Sequence, residues 1–485
     1  MKHSHRNTLL SLLPVAFLIT FLALVIHIYG TDALSGGSQL ALVLSTGVCG
    51  LIAVTCFHVP WEVLEHEINR SIGSVGTAIV ILLLIGLLSG TWTVSGVVPT
   101  MIYWGMKLIN PYVFLLCCCV VSGIVSVMTG SSWTTVATVG IALMGIGKAL
   151  GFSDGWTAGA IISGAYFGDK MSPLSDTTVL ASSVAGTPLF THIRYMTITT
   201  VPAVVVALAT YAVAGIFMGG ASYVDTSAFA TALQGKYNLS PWLMVVPLAT
   251  AVMIASRLPA IIVLFASSVL AGLFAVFFQP NILAEVIGAH DTTALTLFKG
   301  VMLSGFGATT VHTGNAACDA LLATRGMQGM MGTVWLILCA ICFGGVLKAS
   351  GMLGNIVRLL LPFTRTRFGL VASTVLSGMF FNATVADQYL SIMLSSSMYK
   401  DIYDREGYES RLLSRSIEDS CTVTSVLVPW STCGMTQSSV LNVPTITYLP
   451  YCFFNLLCPV MSMAVAALGY KIYRHTKGSA WARQV

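Results

Sequence analysis

Apolar runs long enough to cross a bilayer recur along the chain, at 9–29, 38–57, 76–98, 157–183, 193–218, 241–256, 262–279, 333–348, 418–442 and 447–470. A crossing helix needs about 20 residues, or about 17 at the short end, so the pattern predicts ten helical crossings. Two further apolar regions, 112–147 and 368–398, are interrupted by polar residues near their middles. They read as pairs of short crossings or as re-entrant hairpins.

The polar positions inside these runs carry the most information. Gly168-Asp169-Lys170-Met171-Ser172-Pro173-Leu174-Ser175-Asp176-Thr177-Thr178 interrupts a segment whose flanks, 157–167 and 179–185, hold no charge. A charge at bilayer depth costs roughly 2.5–3.5 kcal/mol on insertion scales. Pro173 breaks the helical ladder there, and the freed backbone groups must find partners or line a cavity. A binding site at a broken helix accounts for both.

Composition places the whole chain in the membrane. Only 8% of its 485 residues are charged and 56% are hydrophobic, against about 25% charged in soluble domains. The net charge of +5 is no nucleic-acid footprint, because the basic residues flank the spans. Lys2 and Arg6 precede a first apolar run too long for a signal peptide, which reads as a retained helix. Most of the twelve cysteines lie within spans and read as buried free thiols. With the N-terminus inside and each interrupted region returning to its own side, Lys107, Lys148, Lys236, Lys299 and Arg325 fall outside and Lys170 lies in the membrane. The other 17 of the 23 Lys and Arg fall inside, as the positive-inside rule requires. The expected location is the inner (cytoplasmic) membrane, multi-pass, with both termini cytoplasmic.

The chain also repeats itself. Gly73, Gly76 and Thr77 match Gly329, Gly332 and Thr333 at an offset of 256. Pro173 and Ser175 match Pro429 and Ser431, and Ser182-Ser183-Val184 matches Ser438-Ser439-Val440, at the same offset. Ser122-Gly123 and Thr129 match Ser377-Gly378 and Thr384 at 255, and Gly50-Leu51 matches Gly272-Leu273 at 222. The expected fold is therefore an all-α polytopic membrane protein of two inverted repeats, each of about five transmembrane helices plus one re-entrant hairpin. The first repeat spans 1–220 and a connecting loop 221–240. The second spans 241–475, with an insertion near 281–320, and 476–485 form a cytoplasmic tail. Such repeats place their sites near the midplane, at broken helices.

The candidate site follows from the repeat. The interrupted regions contribute Ser131, Ser132 and Thr134 in one half and Asn382, Thr384, Asp387 and Gln388 in the other. The broken spans contribute Asp169, Ser172, Ser175, Asp176, Thr177 and Thr178, and Glu418, Asp419, Ser431 and Thr432. Hydroxyl, amide and carboxylate oxygens suit a hard cation such as sodium, and Asp176 and Asp387 are the expected metal ligands. Lys170 points about 100° away from Asp169 on a helix and is free to pair across the bundle. Protons and sodium compete for one carboxylate, which couples two flows; any of Asp169, Asp176, Asp387, Glu418 and Asp419 can take the proton.

These motifs resemble those of NhaC-type sodium/proton antiporters. The resemblance rests on 168–178, Asp387-Gln388-Tyr389, Glu418-Asp419-Ser420 and Val428-Pro429-Trp430-Ser431-Thr432-Cys433-Gly434. It extends to Thr313-Gly314-Asn315 with Asp319, Leu321-Leu322 and Arg325-Gly326-Met327. It departs at Ser431, where the family pattern has Asn. The resemblance implies membership of the ion-transporter superfamily, with scaffold and transport domains, paired hairpins, a homodimer and elevator-type movement. Relatives also include malate/lactate antiporters.

The expected function is secondary exchange of sodium for protons by alternating access; the alternative is a sodium/proton-coupled exchanger of small organic anions or amino acids. An added cation facing the site would favour the alternative. The expected partners are small ions, a small carboxylate under the alternative, the lipid bilayer and a second copy, with no nucleic acid and no cofactor beyond transported Na+ and H+. An enzyme fits poorly: His66-Glu67-Ile68-Asn69-Arg70 lacks the second histidine of a zinc motif, and no GxSxG elbow or phosphate loop is present.

Overall fold

The computed structural model describes residues 2–29, 36–219, 226–359 and 361–474. Residues 221–225 of the connecting loop and the 476–485 tail lie outside the described residues. Apart from two isolated bridges, Thr309 with Thr324 and Tyr408 with Arg474, the regular structure there is helical.

Among the described residues, seven helices are long and apolar enough to cross a membrane: Asn7–Tyr29, Gly37–Cys56, Gly76–Val94, Pro111–Thr129, Leu189–Met218, Ala260–Phe278 and Gly326–Ala349. Two bent pairs join them, Ser227–Lys236 with Pro241–Ala255 at 94° and Thr445–Tyr451 with Phe453–Leu468 at 57°. The connecting segment is thus partly helical. The insertion near 281–320 holds three helices, Pro280–Val286, Ala294–Phe306 and Ala316–Leu322.

The four polar interruptions are helix breaks. Phe114–Thr129 ends at Gly130 and a new helix starts at Ser132. Asp154–Met171 ends before Asp176–Ala185, and Arg367–Thr384 before Gln388–Arg405. Ser410–Ile417 runs through a π turn, Glu418–Thr422, and stops short of Thr432–Leu441. Each new helix begins with a side-chain cap, which supplies a partner for a backbone N–H left open at the terminus. Ser131 accepts from Thr134 N at 3.2 Å and Asp387 from Leu390 N at 3.0 Å. Ser175 accepts from Thr178 N at 3.4 Å and Ser431 from Gly434 N at 3.0 Å. Both cap pairs, Ser131 with Asp387 and Ser175 with Ser431, stand 256 residues apart.

Small residues let the site helices close on each other. A methyl group on Gly164 would overlap the Cys119 carbonyl, and one on Gly168 the Gly123 carbonyl. Ser126 Oγ completes that contact by donating to the Ala165 carbonyl at 2.5 Å. Gly86 and Gly90 likewise face the carbonyls of Gly326 and Ser304. Without a hydrophobic force between helices in lipid, such close backbone packing supplies the association. All twelve cysteines are free. Cys339 and Cys342 stand in C-x-x-C spacing within one helix, yet among the described residues no cluster of His, Cys, Asp and Glu has a metal-binding arrangement.

Candidate ion and substrate site

Three of the four breaks meet at a cavity of about 770 Å³, and the fourth, ahead of Thr432, contributes no residue to its wall. Its wall includes Ser131, Ser132 and Thr134 from the first interrupted region, Asp387 and Gln388 from the second, and Asp169, Ser175, Asp176 and Thr177 from the first broken helix. Nine of the sequence-derived site residues therefore line one space. Three carboxylates face it, Asp169 and Asp387 buried and Asp176 exposed.

Each buried carboxylate is held by the start of a helix. Asp169 Oδ2 accepts from Ser132 Oγ at 2.7 Å and from Ser132 N at 3.2 Å. Asp387 caps its own helix and its Oδ2 accepts from Thr432 Oγ1 at 3.2 Å. Asp176 opens the Asp176–Ala185 helix. Helix N-termini favour negative charge, so the folded backbone keeps three acids at one cavity where a cation can neutralise them.

The polar contacts repeat between halves. Ser132 bonds Asp169, and the positions 256 further on, Gln388 and Ser425, are bonded as well, with Ser425 Oγ donating to Gln388 Oε1 at 3.4 Å. Ser126 reaches the Ala165 carbonyl, and Asn382 Nδ2 reaches the equivalent Cys421 carbonyl at 2.7 Å. Position pairs 131/176 and 387/432 each hold one aspartate and one hydroxyl, with the roles exchanged: Ser131 with Asp176, Asp387 with Thr432.

The remaining candidates act behind the wall. Ser172 Oγ donates to the Val127 carbonyl at 2.8 Å, and Thr178 Oγ1 to the carbonyls of Asp169 and Lys170 at 3.4 and 3.1 Å. Thr384 bonds back to Phe380 within its helix. Ser431 holds the Ser425 carbonyl besides capping, and Thr432 supports Asp387. Glu418 and Asp419 are fully buried but do not line the cavity. Lys170 pairs across the bundle with Asp419 and does not face the site.

Sequence reasoning passed over Ser74, Thr77, Tyr389 and Arg257, all of which line the cavity. Gly73, Gly76 and Thr77 had marked a repeat, and Tyr389 belongs to the Asp387-Gln388-Tyr389 motif. Arg257 counted only as a topology marker. It is the one cation in this wall and sits in left-handed backbone at φ 62°, a conformation unusual outside glycine that clusters at functional sites.

The Thr313-Gly314-Asn315 motif lies apart from the cavity and builds a local turn. Asn315 Oδ1 accepts from Cys318 N at 3.2 Å, while Thr313 donates to Asp319 Oδ1 from its hydroxyl at 2.5 Å and its N–H at 2.7 Å. These two bonds hold the Asp319 carboxyl below the usual carboxylate range.

The model of the Na+/H+ antiporter family matches residues 5–185 and 164–470. This chain belongs to that family. Similar proteins include the Na+/H+ antiporter NhaC of Bacillus subtilis (strain 168), 34% identical over 85% of this chain and 88% of the relative. The arginine/ornithine antiporter ArcD of Halobacterium salinarum is 34% identical over 96% of this chain and 92% of its own. The malate-2H+/Na+-lactate antiporter of B. subtilis is 33% identical over 99% and 98%. Family membership makes the chain a multi-pass secondary antiporter, not an enzyme.

Proposed function

We propose that this antiporter exchanges sodium for protons, with Asp169, Asp176 and Asp387 presenting one negatively charged cavity to both ions. The observation that carries this reading is the meeting of three carboxylates, Asp176 and Asp387 at the starts of their own helices and Asp169 against the start of the Ser132 helix, in a space walled by both halves of the chain. The residues fit the ion: carboxylate and hydroxyl oxygens are the donor set of a hard cation, and bound sodium and a bound proton exclude each other at one carboxylate. Asp176 and Asp387 are assigned as sodium ligands. The mirrored contacts at 256 residues support two inverted repeats, 1–220 and 241–475, rocking or sliding about the cavity. The protein works as a homodimer with an elevator-type movement, in the cytoplasmic membrane with both termini inside. In everted vesicles containing this chain, added sodium is expected to collapse an imposed pH gradient; folded protein that gives no sodium response defeats the reading.

A second reading has a specific observation behind it. Pockets for small organic ligands span about 300–1,000 Å³, and a 770 Å³ cavity with Arg257 in its wall offers a carboxylate both room and a counter-charge. Two relatives are named for organic substrates. Under this reading a small carboxylate or amino acid must be present for ion flux, and sodium alone produces none.

A further inference from the structure

Four charged side chains are enclosed together behind the cavity, where the Asp154–Met171 helix meets the π turn Glu418–Thr422. Lys170 bonds Asp419 Oδ1, and Thr199 Oγ1 donates to the same oxygen at 3.1 Å. Arg415 Nε lies 3.9 Å from the other oxygen, with its guanidinium 4.7 Å from the centre of the Tyr195 ring. No Arg415 nitrogen makes a hydrogen bond, and neither carboxyl oxygen of Glu418 has a partner.

Charge bookkeeping gives this enclosure a function. Two cations share one committed carboxylate, Asp419, and Glu418 is the remaining acid. With Glu418 neutral the enclosure keeps one positive charge in excess of Asp419; ionised, Glu418 cancels that charge and draws Lys170 or Arg415 to itself, so one proton sets the charge balance of a buried group of ions. A metal ion does not fit here. Hard cations gather several oxygens, Glu418 has the hydroxyl of Thr422 beside it, and Lys170 and Arg415 repel a third positive charge. A proton needs one oxygen only.

We propose that Glu418 is a proton-binding site separate from the cavity, and that its proton decides whether Lys170 is held by Asp419 alone or shared by both acids. π turns recur at functional sites, and here the turn places Glu418 and Asp419 side by side. The other titratable groups around the enclosure are Cys458, 3.8 Å from Lys170 Nζ, Cys421 on the turn itself, and His192, whose Nδ1 bonds Ser414 Oγ at 2.8 Å. Tyr195 and Tyr403 flank Arg415. Lys170 directly follows Asp169, and Thr178 Oγ1 holds both their carbonyls, so a move of Lys170 reaches the cavity acid and the next half-helix. Only this last link rests on the exchange reading.

Infrared difference spectra of the full-length protein in sodium-free lipid, stepped across pH, test the site directly. A protonated carboxyl without hydrogen bonds absorbs at the high-frequency end of the acid carbonyl range. The Asp169→Asn/Asp176→Asn/Asp387→Asn variant is expected to keep such a pH-dependent band, and added Glu418→Gln to remove it. A band missing from the triple variant, or surviving Glu418→Gln, overturns the proposal. Should the triple variant not fold, wild type against Glu418→Gln gives the same comparison. In proteoliposomes, Glu418→Gln is expected to lower the protons moved per sodium ion at unchanged sodium affinity, with Glu418→Asp restoring them. An unchanged ratio overturns the link to transport. A band seen in protein with no sodium response leaves the proton site standing and removes the exchange reading instead.

Discussion

At the scale of single residues, the cavity acids differ in how they are held. Asp169 and Asp387 receive fixed donors, whereas Asp176 stands exposed at its helix start. Asp176→Asn keeps size and hydrogen bonding but removes the charge, so coupled exchange is expected to vanish while membrane insertion, followed by fluorescence-detected chromatography, stays intact. Ser132→Ala removes a hydrogen bond to a charged acceptor, worth about 1.5–3 kcal/mol. Sodium binding by titration calorimetry is expected to weaken by roughly tenfold or more, since 1.4 kcal/mol is a factor of about ten. Outside the candidate spans, Asp319 offers a pH test. Its lowered folded-state value adds stability at pH above the unfolded value of about 3.9, and that contribution fades as pH falls through the folded value. Thr313→Val is expected to move the Asp319 titration back up and to shrink this acid-side slope in thermal melts.

At the scale of elements, the breaks were legible because they combine proline, hydroxyls and acids within apolar surroundings that disfavour all three. Pro173 and Pro429 marked two of them, and the repeat, at an offset of 255 there, made the region of Asp387 the counterpart of the region of Ser131. The separation of Glu418 and Asp419 from the cavity was not legible. It depends on a π turn that no spacing rule reports and on Lys170 reaching a residue 249 positions away. Arg257 was equally hidden, because a lone basic residue between two spans reads first as a topology signal. Gly164 and Gly168 stand in small-xxx-small spacing, and each meets a carbonyl of the neighbouring helix. Gly164→Val should force Cys119 and its helix outward. Overpacking costs typically 1–3 kcal/mol or more, so a lower melting temperature and loss of exchange are expected together.

At the scale of the whole molecule, two polar centres share one broken helix. Asp169 faces the cavity and Lys170 the enclosed acids. Removing one partner of a buried pair costs about 3–5 kcal/mol. Lys170→Met is therefore expected to destabilise the protein in detergent melts far more than Arg257→Gln, which stands exposed in the cavity wall. Arg257→Gln separates the two transport readings. Sodium-driven pH change should survive it, while counterflow of an organic carboxylate, if that is the cargo, should fall about tenfold, as expected for a lost charged contact worth 1.5 kcal/mol or more.

Gly130 and Ala386 occupy matching places just ahead of Ser131 and Asp387, and both adopt left-handed backbone, at φ 65° and 60°. The two breaks are therefore unequally strained. Glycine rests there without penalty, while alanine carries a tension of about 1–2 kcal/mol. The strain sits at the alanine break and not at its glycine twin, and Ala386→Gly would relax it.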